Sequence, residues 1–187
     1  MIRKEDDLIT VITISYNAVS SIEQTILSVV NQTYRPIEYI IVDGGSTDGT
    51  VDVIKKYADK ITFWISERDN GIYDAMNKGI RKATGKWINF MNSGDIFFNE
   101  NTISGIYKDQ TYGDHINIIY GETLYKIFGG LYKKKTDINS LGVQMELGHQ
   151  STFVRASVHK KYLFADTFCI GADFKFFHDR YKEDPEQ

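Results

Sequence analysis

Apolar residues along the first hundred positions follow two alternating rhythms. Short runs rich in β-branched residues, at 8–14, 39–42, 61–65 and 87–91, read as buried strands. Between them the apolar positions recur at helical spacing. Ile22, Ile26, Val29 and Val30 form one stripe, and Val51, Ile54 and Ala58 a second. Ile72, Ala75, Met76, Gly79, Ile80 and Ala83 form a third. Ser20 and Glu23 have capping-box spacing ahead of the first helix. Ser46 or Thr47 is placed to cap the second, and Gly85 to end the third. This alternation predicts a parallel sheet covered on both faces. Beyond residue 100 the rhythm weakens. Residues 116–120, 124–128 and 151–154 read as strands, the first two as a hairpin, and 172–181 as a short helix.

Length and charge narrow the function classes. A chain of 187 residues suits one domain, and a formal net charge of -3 lowers the weight of a nucleic-acid binder. Cys169 is the one cysteine, so neither an intrachain disulfide nor a thiolate metal cluster is expected, which suits a reducing cytoplasm. The first residues lack the apolar stretch of a signal peptide, and no apolar run approaches the roughly 18 residues of a membrane span. A cytoplasmic protein is expected, soluble or peripheral at the membrane's inner face. Lys133, Lys134 and Lys135 read as a solvated loop, with phosphate or membrane contact as the alternative.

Ligands of open α/β sheets bind beyond the carboxyl ends of the strands. Ser15, Tyr16 and Asn17 follow the first predicted strand, and Asp43 with Gly44-Gly45-Ser46-Thr47-Asp48-Gly49 follows the second. Glu67, Arg68, Asp69, Asn70 and Gly71 come after the third, and Asn92, Ser93, Gly94 and Asp95 after the fourth. Three consecutive strand ends thus deliver a carboxylate to one rim. A single loop acid is usually a cap or a solvated turn; three at equivalent places call for a cation or for donors on a bound base and ribose. The glycine-rich segment lacks the Gly-Lys-Ser/Thr ending of a P-loop and the spacing of a dinucleotide fingerprint, so it reads as a tight turn followed by a helix. Tyr73, Asp74, Asn77 and Lys78 are assigned to the polar side of the third helix, and Asn70-Gly71 opens that helix, where its first N–H groups could face an anion.

Several segments together resemble the family 2 inverting glycosyltransferases: Ile14-Ser15-Tyr16-Asn17, Val42 to Thr50, Asp69 to Gly79, Ala83 to Ile88 and Asn92-Ser93-Gly94-Asp95. Later echoes occur at Gly148 to Arg155 and Gly171-Ala172-Asp173-Phe174. The resemblance implies an α/β chain with the A-type glycosyltransferase fold. Residues 1–98 would form a nucleotide-sugar-binding half with a mostly parallel sheet flanked by helices. Residues 99–187 would form a smaller acceptor-side β/α portion lacking a C-terminal extension. Tyr16, Asn17, Asp43 and Asp69 would line the nucleotide pocket. Asp95 matches the last carboxylate of an Asp-x-Asp motif that holds Mn²⁺ or Mg²⁺ on the diphosphate. His149 would approach the diphosphate or metal, with a structural histidine as the equal alternative. Asp173 matches the catalytic base, although an acid at a helix start is also a good cap.

The resemblance further implies inverting transfer from a nucleoside-diphosphate sugar, with uridine as the favoured base. The acceptor would be a saccharide or lipid-linked saccharide of surface polysaccharide or glycoconjugate synthesis. The chain departs from the pattern where Ser93 and Gly94 replace further carboxylates, which weakens the metal expectation. Two other classes stay open. A nucleotidyltransferase would carry a glycine-rich basic loop after the first strand, where Ser-Tyr-Asn-Ala-Val stands. A non-catalytic or truncated nucleotide-sugar-binding domain is the second.

Overall fold

β1 (Ile9–Ser15) is buried along its whole length, and the fold extends outward from it. It pairs in parallel with β2 (Ile37–Asp43) on one side and β4 (Trp87–Phe90) on the other. β3 (Phe63–Ser66) lies parallel beyond β2. β8 (Thr152–Arg155) runs antiparallel beside β4, and β5 (Ile118–Tyr120) runs antiparallel at its far edge. The six-stranded order is β3-β2-β1-β4-β8-β5, while β6 (Thr123–Ile127) and β7 (Gly130–Lys134) form a separate hairpin. The computed structural model describes residues 7–107, 112–134, 136–141, 143–144, 147–168 and 170–183; Lys135 and Cys169 lie outside them.

A strand buried on both faces needs apolar residues of both parities, and β1 and β2 have them. Ile9, Val11, Tyr39 and Ile41 join Trp87 on one face, against α1 (Ile22–Val30), α2 (Thr50–Lys56) and α4 (Thr102–Tyr107). Ile12, Ile14, Ile40 and Val42 join Ile88 and Phe90 on the other, against α3 (Ile72–Lys82), α5 (Ala156–Lys161) and α6 (Ala172–Glu183). Each buried isoleucine contributes about 1.5–3 kcal/mol of transfer free energy to holding the strands between the two helical layers.

Several local expectations are corrected. Ser20 and Glu23 form no capping box: α1 starts after Ser21 without a side-chain cap, and Glu23 instead pairs with Lys56 and Tyr57. Asp48, rather than Ser46 or Thr47, takes the Thr50 N–H at the start of α2. α3 ends at Ala83, and Gly85 serves close packing instead; a Cβ there would stand 2.6 Å from Thr10 Oγ1 and 2.8 Å from Leu8 O. β5 and β6 do not pair with each other, because β8 and β7 respectively are their partners. Lys133 and Lys134 belong to β7, not to a loop. Tyr73 and Asn77 are buried rather than on a polar helix face.

Candidate active site

The strand ends and the starts of the following helices enclose a cleft of about 720 Å³, lined by Ser15, Tyr16, Gly44, Arg68, Asp69 and Ser93 among others. Tyr16 is 67% exposed at this cleft. Asn17, with φ +46, ties two strand ends together: its side-chain oxygen accepts from Thr47 N–H, and its own N–H donates to Ser46 Oγ. Gly44 allows the closest approach across the cleft floor, since a Cβ there would lie 2.5 Å from Asp69 Oδ2.

Asp43 is fully buried, and its oxygens accept from five donors. Oδ1 takes Ser15 Oγ and Ser46 Oγ; Oδ2 takes Ser66 Oγ and the N–H groups of Gly45 and Ser46. A carboxylate has about four lone-pair sites, so this one is saturated from within the protein. Burial alone would raise its pKa, but the hydrogen bonds from Ser46, Ser66 and Ser15 outweigh it and hold the group below the usual carboxylate range. A nucleobase would reach Asp43 only by displacing one of these donors. Ser15 and Ser66 are not singled out for this role by the sequence; their position one strand to either side, in register with Asp43, is the signal that points to them.

Asp69 turns one oxygen to the Gly71 N–H, and Asp74 accepts from the Asn70 N–H, so two donors at the opening of α3 are already engaged. Arg68 is exposed on the cleft lining, while Glu67 pairs with Lys78 at 2.8 Å.

The second half of the chain contributes a different kind of cluster. His149 stands between Asp95 and Asp173, with Nε2 3.6 Å from Asp95 Oδ2 and Nδ1 3.4 Å from Asp173 Oδ2. Burial disfavours the imidazolium, but the carboxylates of Asp173 and Asp95 prevail and push its pKa up to about 9. Asn92 Nδ2 lies 3.1 Å from the same Nε2 while its buried Oδ1 has no partner among the described residues. Turning the amide over would let Oδ1 accept from the Nε2–H, as a cationic His149 requires. Asp173 is the second residue of α6. Its Oδ1 accepts from Tyr73 O–H and Phe174 N–H, and its Oδ2 faces His149. Burial would raise the Asp173 pKa, yet hydrogen bonds from His149 and Tyr73 lower it overall. Tyr73 in turn accepts from Gly171 N–H, fixing the start of α6 against α3. The structure therefore sets His149 between Asp95 and Asp173 and lines the cleft with Tyr16 and Asp69; Asn17 and Asp43 are not among the residues lining it and instead brace the loop beside it.

Among the described residues no three acidic, histidine or cysteine side chains converge as a ready metal cage. Asp95 and His149 nevertheless place two donor atoms 3.6 Å apart, near the span of neighbouring ligands on one ion. Asp95 has an accessible carboxylate, and His149 would have to shed its proton to bind. The residues fit Mn²⁺ or Mg²⁺ only if phosphate oxygens and water complete the shell.

Known proteins share this arrangement of strands and motifs. The pattern of the family described as Glycosyl transferase family 2 matches residues 10–180. A glycosyltransferase of Mycobacterium tuberculosis is 43% identical over 90 residues, covering 48% of this chain and 34% of its own. A PGL/p-HBAD biosynthesis glycosyltransferase of Mycobacterium bovis is 28% identical over 131 residues, covering 68% of this chain and 51% of its own. The matched stretch thus spans about a third to a half of these relatives' length. Among solved structures, S. aureus TarS in complex with UDP superposes with a TM-score of 0.64 at 18% identity, covering 90% of this chain and 53% of that one. The mannosyltransferase of Pyrobaculum calidifontis, in complex with GDP-Man and Mn²⁺, superposes with a TM-score of 0.65 at 18% identity, covering 92% and 53%. These likenesses show the fold, that of the A-type glycosyltransferases.

Proposed function

The chain belongs to glycosyl transferase family 2, and from that premise we propose that it transfers a sugar from a nucleoside-diphosphate sugar to an acceptor hydroxyl with inversion. The observation that carries this reading is the Asp95–His149–Asp173 cluster at the edge of the strand-end cleft. The donor's nucleoside occupies the cleft beside Tyr16, Asn17 and Asp69, over the loop that Asp43 holds in shape. Uridine is the favoured base: TarS carries UDP in one neighbour's structure, while a second neighbour carries GDP-Man. The division of labour falls near residue 98, with acceptor-side groups drawn from 99–187.

Asp173 is the base. Its carboxylate is ionised at neutral pH and is aimed by Tyr73 and His149 rather than free to rotate. The acceptor oxygen attacks the anomeric carbon on the face opposite the diphosphate while its proton passes to Asp173. The bond from that carbon to the diphosphate oxygen breaks, and its electron pair leaves with the diphosphate. His149 supplies positive charge where negative charge grows on the leaving group. A divalent ion on Asp95, when bound, would supply Lewis-acid neutralisation of the diphosphate. The acceptor is a saccharide or lipid-linked saccharide of glycoconjugate synthesis.

Thermal unfolding with uridine diphosphate tests the reading directly. A ligand bound only to the folded chain adds about 2.7 kcal/mol at a hundredfold excess over its dissociation constant. A larger shift with Mn²⁺ than with chelator is expected. Equal shifts would remove Asp95 from the metal role, and no shift with any nucleoside diphosphate would end the donor-site reading.

A further inference from the structure

The β6–β7 hairpin buries neither of its faces against the described residues. Among the described residues its strands pair only with each other, and Leu124, Tyr125, Ile127, Leu131 and Tyr132 belong to neither core cluster. An isolated two-stranded hairpin is marginal in water, so side chains of this kind need a partner phase. By register, Tyr125 faces Tyr132 and Ile127 faces Gly130 on one side, while Leu124 faces Lys133 and Lys126 faces Leu131 on the other. Phe128, wholly exposed at the tip, adopts φ +48 beside Gly129. Both sides and the tip are therefore apolar, with lysines among them.

Charge selects the partner. From Thr123 to Lys135 the sequence carries four lysines and no acid, although the chain as a whole has a net charge of -3. Glu122, at the root of the hairpin, pairs with Lys133 and leaves the tip-side Lys126 to act on a partner. The stretch also carries no Asn or Gln, so a sugar would find stacking rings but neither carboxylate nor amide to hydrogen-bond. Tyrosine and phenylalanine among aliphatic residues, backed by lysines, match the interface of an anionic bilayer, where rings sit at headgroup depth and ammonium groups meet phosphates. The hairpin is also rooted at the candidate active site. Gly121 N–H donates to Ser151 O, and Thr123 Oγ1 bonds Ser151 Oγ at 2.9 Å, two residues beyond His149.

We propose that the β6–β7 hairpin is a membrane-docking element that seats Phe128 and its neighbours in an anionic lipid surface, with Lys126 on the headgroups. Docking there holds the mouth of the site at the lipid–water boundary. Only the consequence, access to a lipid-borne acceptor, rests on the transferase reading.

Flotation of the full chain with vesicles tests this, comparing phosphatidylcholine alone with the same lipid containing about one-third phosphatidylglycerol. The wild-type chain is expected to float with the anionic vesicles and to be released by high salt. Phe128→Ser combined with Ile127→Ser should weaken partitioning at least about tenfold, and Lys126→Gln by about fivefold. Circular dichroism and an unchanged melting temperature show that the exposed substitutions leave the fold intact. Failure of the wild-type chain to float with anionic vesicles, or equal flotation of the variants, overturns the proposal. So does a wild-type dimer in vesicle-free sedimentation that the Phe128 variant loses, which would assign the hairpin to a second copy. Flotation is read without nucleotide, so it stands or falls apart from the donor-site reading.

Discussion

Asp43 and Asp173 stand on neighbouring parts of one rim and are stabilised in opposite ways. Asp43 is enclosed by the first half of the chain, where three serine hydroxyls and two backbone N–H groups occupy its oxygens. Asp173 belongs to the second half and shares a single imidazole with Asp95, at distances of 3.4 and 3.6 Å. Fixed dipoles hold the first carboxylate ionised whatever occupies the cleft. The second has fixed donors on Oδ1 only, from Tyr73 and Phe174, and its Oδ2 relies on a proton on His149, a mobile charge that a ligand or a metal can displace. A buried, saturated acid makes a frame; an acid sharing a titratable neighbour makes a site able to respond. The difference also separates the two halves as wholes, one parallel and continuous, the other built from an antiparallel edge and loops.

The largest effect that could break this comparison is on turnover. Asp173→Asn should lower sugar transfer by roughly 10²–10⁴-fold while leaving nucleoside-diphosphate binding nearly intact, as loss of a positioned base does. Near-normal transfer by the folded variant would reduce Asp173 to an anchor for Tyr73 and the start of α6. Asp43→Ala should act on the other quantity. It strands buried hydroxyl and N–H donors, so about 2–4 kcal/mol of stability should go, read as a lower urea midpoint. A variant that keeps wild-type stability but loses nucleotide affinity would mean that Asp43 meets the ligand and not the loop.

Much of this frame is legible in the amino-acid sequence. Alternation of apolar parity in β1 and β2 predicts a strand covered on both faces, and the stripe in α3 predicts its buried side. What fails is chemistry decided by distant partners. Tyr73 reads as polar surface because it carries a hydroxyl, yet it sits at i, i+3 and i+7 with Met76 and Ile80 and bonds Asp173 a hundred residues away. Asn77 is misplaced for the same reason, its amide paired at both ends with the Phe164 backbone. Sequence proximity assigns β5 to β6 because local pairing is the commoner outcome, whereas its partner β8 lies some thirty residues further on. The candidate site shows the same division. Asp43, Asp69, Asp95, His149 and Asp173 are visible as motif residues, but nothing in the spacing says that His149 stands between two of the acids.

An effect visible only as a pH slope sharpens the contrast by setting His149 against His159, ten residues along. His159 is buried in the core, stacked on Phe176 at 4.7 Å with Phe90 and Phe164 around it, and its Nδ1 has no partner among the described residues. Burial without a compensating charge pushes its pKa down to about 3. An unfolded histidine titrates near 6.5, so between about pH 6.5 and 3 the unfolded chain holds the extra proton. Stability from His159 is therefore complete above that range and falls with falling pH, by up to about 1.4 kcal/mol per unit. His149 has the opposite sign. Its pKa is raised to about 9, so its contribution is complete below about pH 6.5 and is lost as pH rises through 9. Urea titrations of His159→Phe from pH 7 to 4 should show a shallower acid slope than the wild-type chain, on top of a pH-independent loss of about 1–3 kcal/mol because the larger ring overpacks the site. His149→Gln should leave that acid slope in place and flatten the alkaline one instead. An acid slope unchanged in His159→Phe would hand acid sensitivity to the carboxylates, Asp43 foremost, whose lowered pKa also costs stability as pH falls.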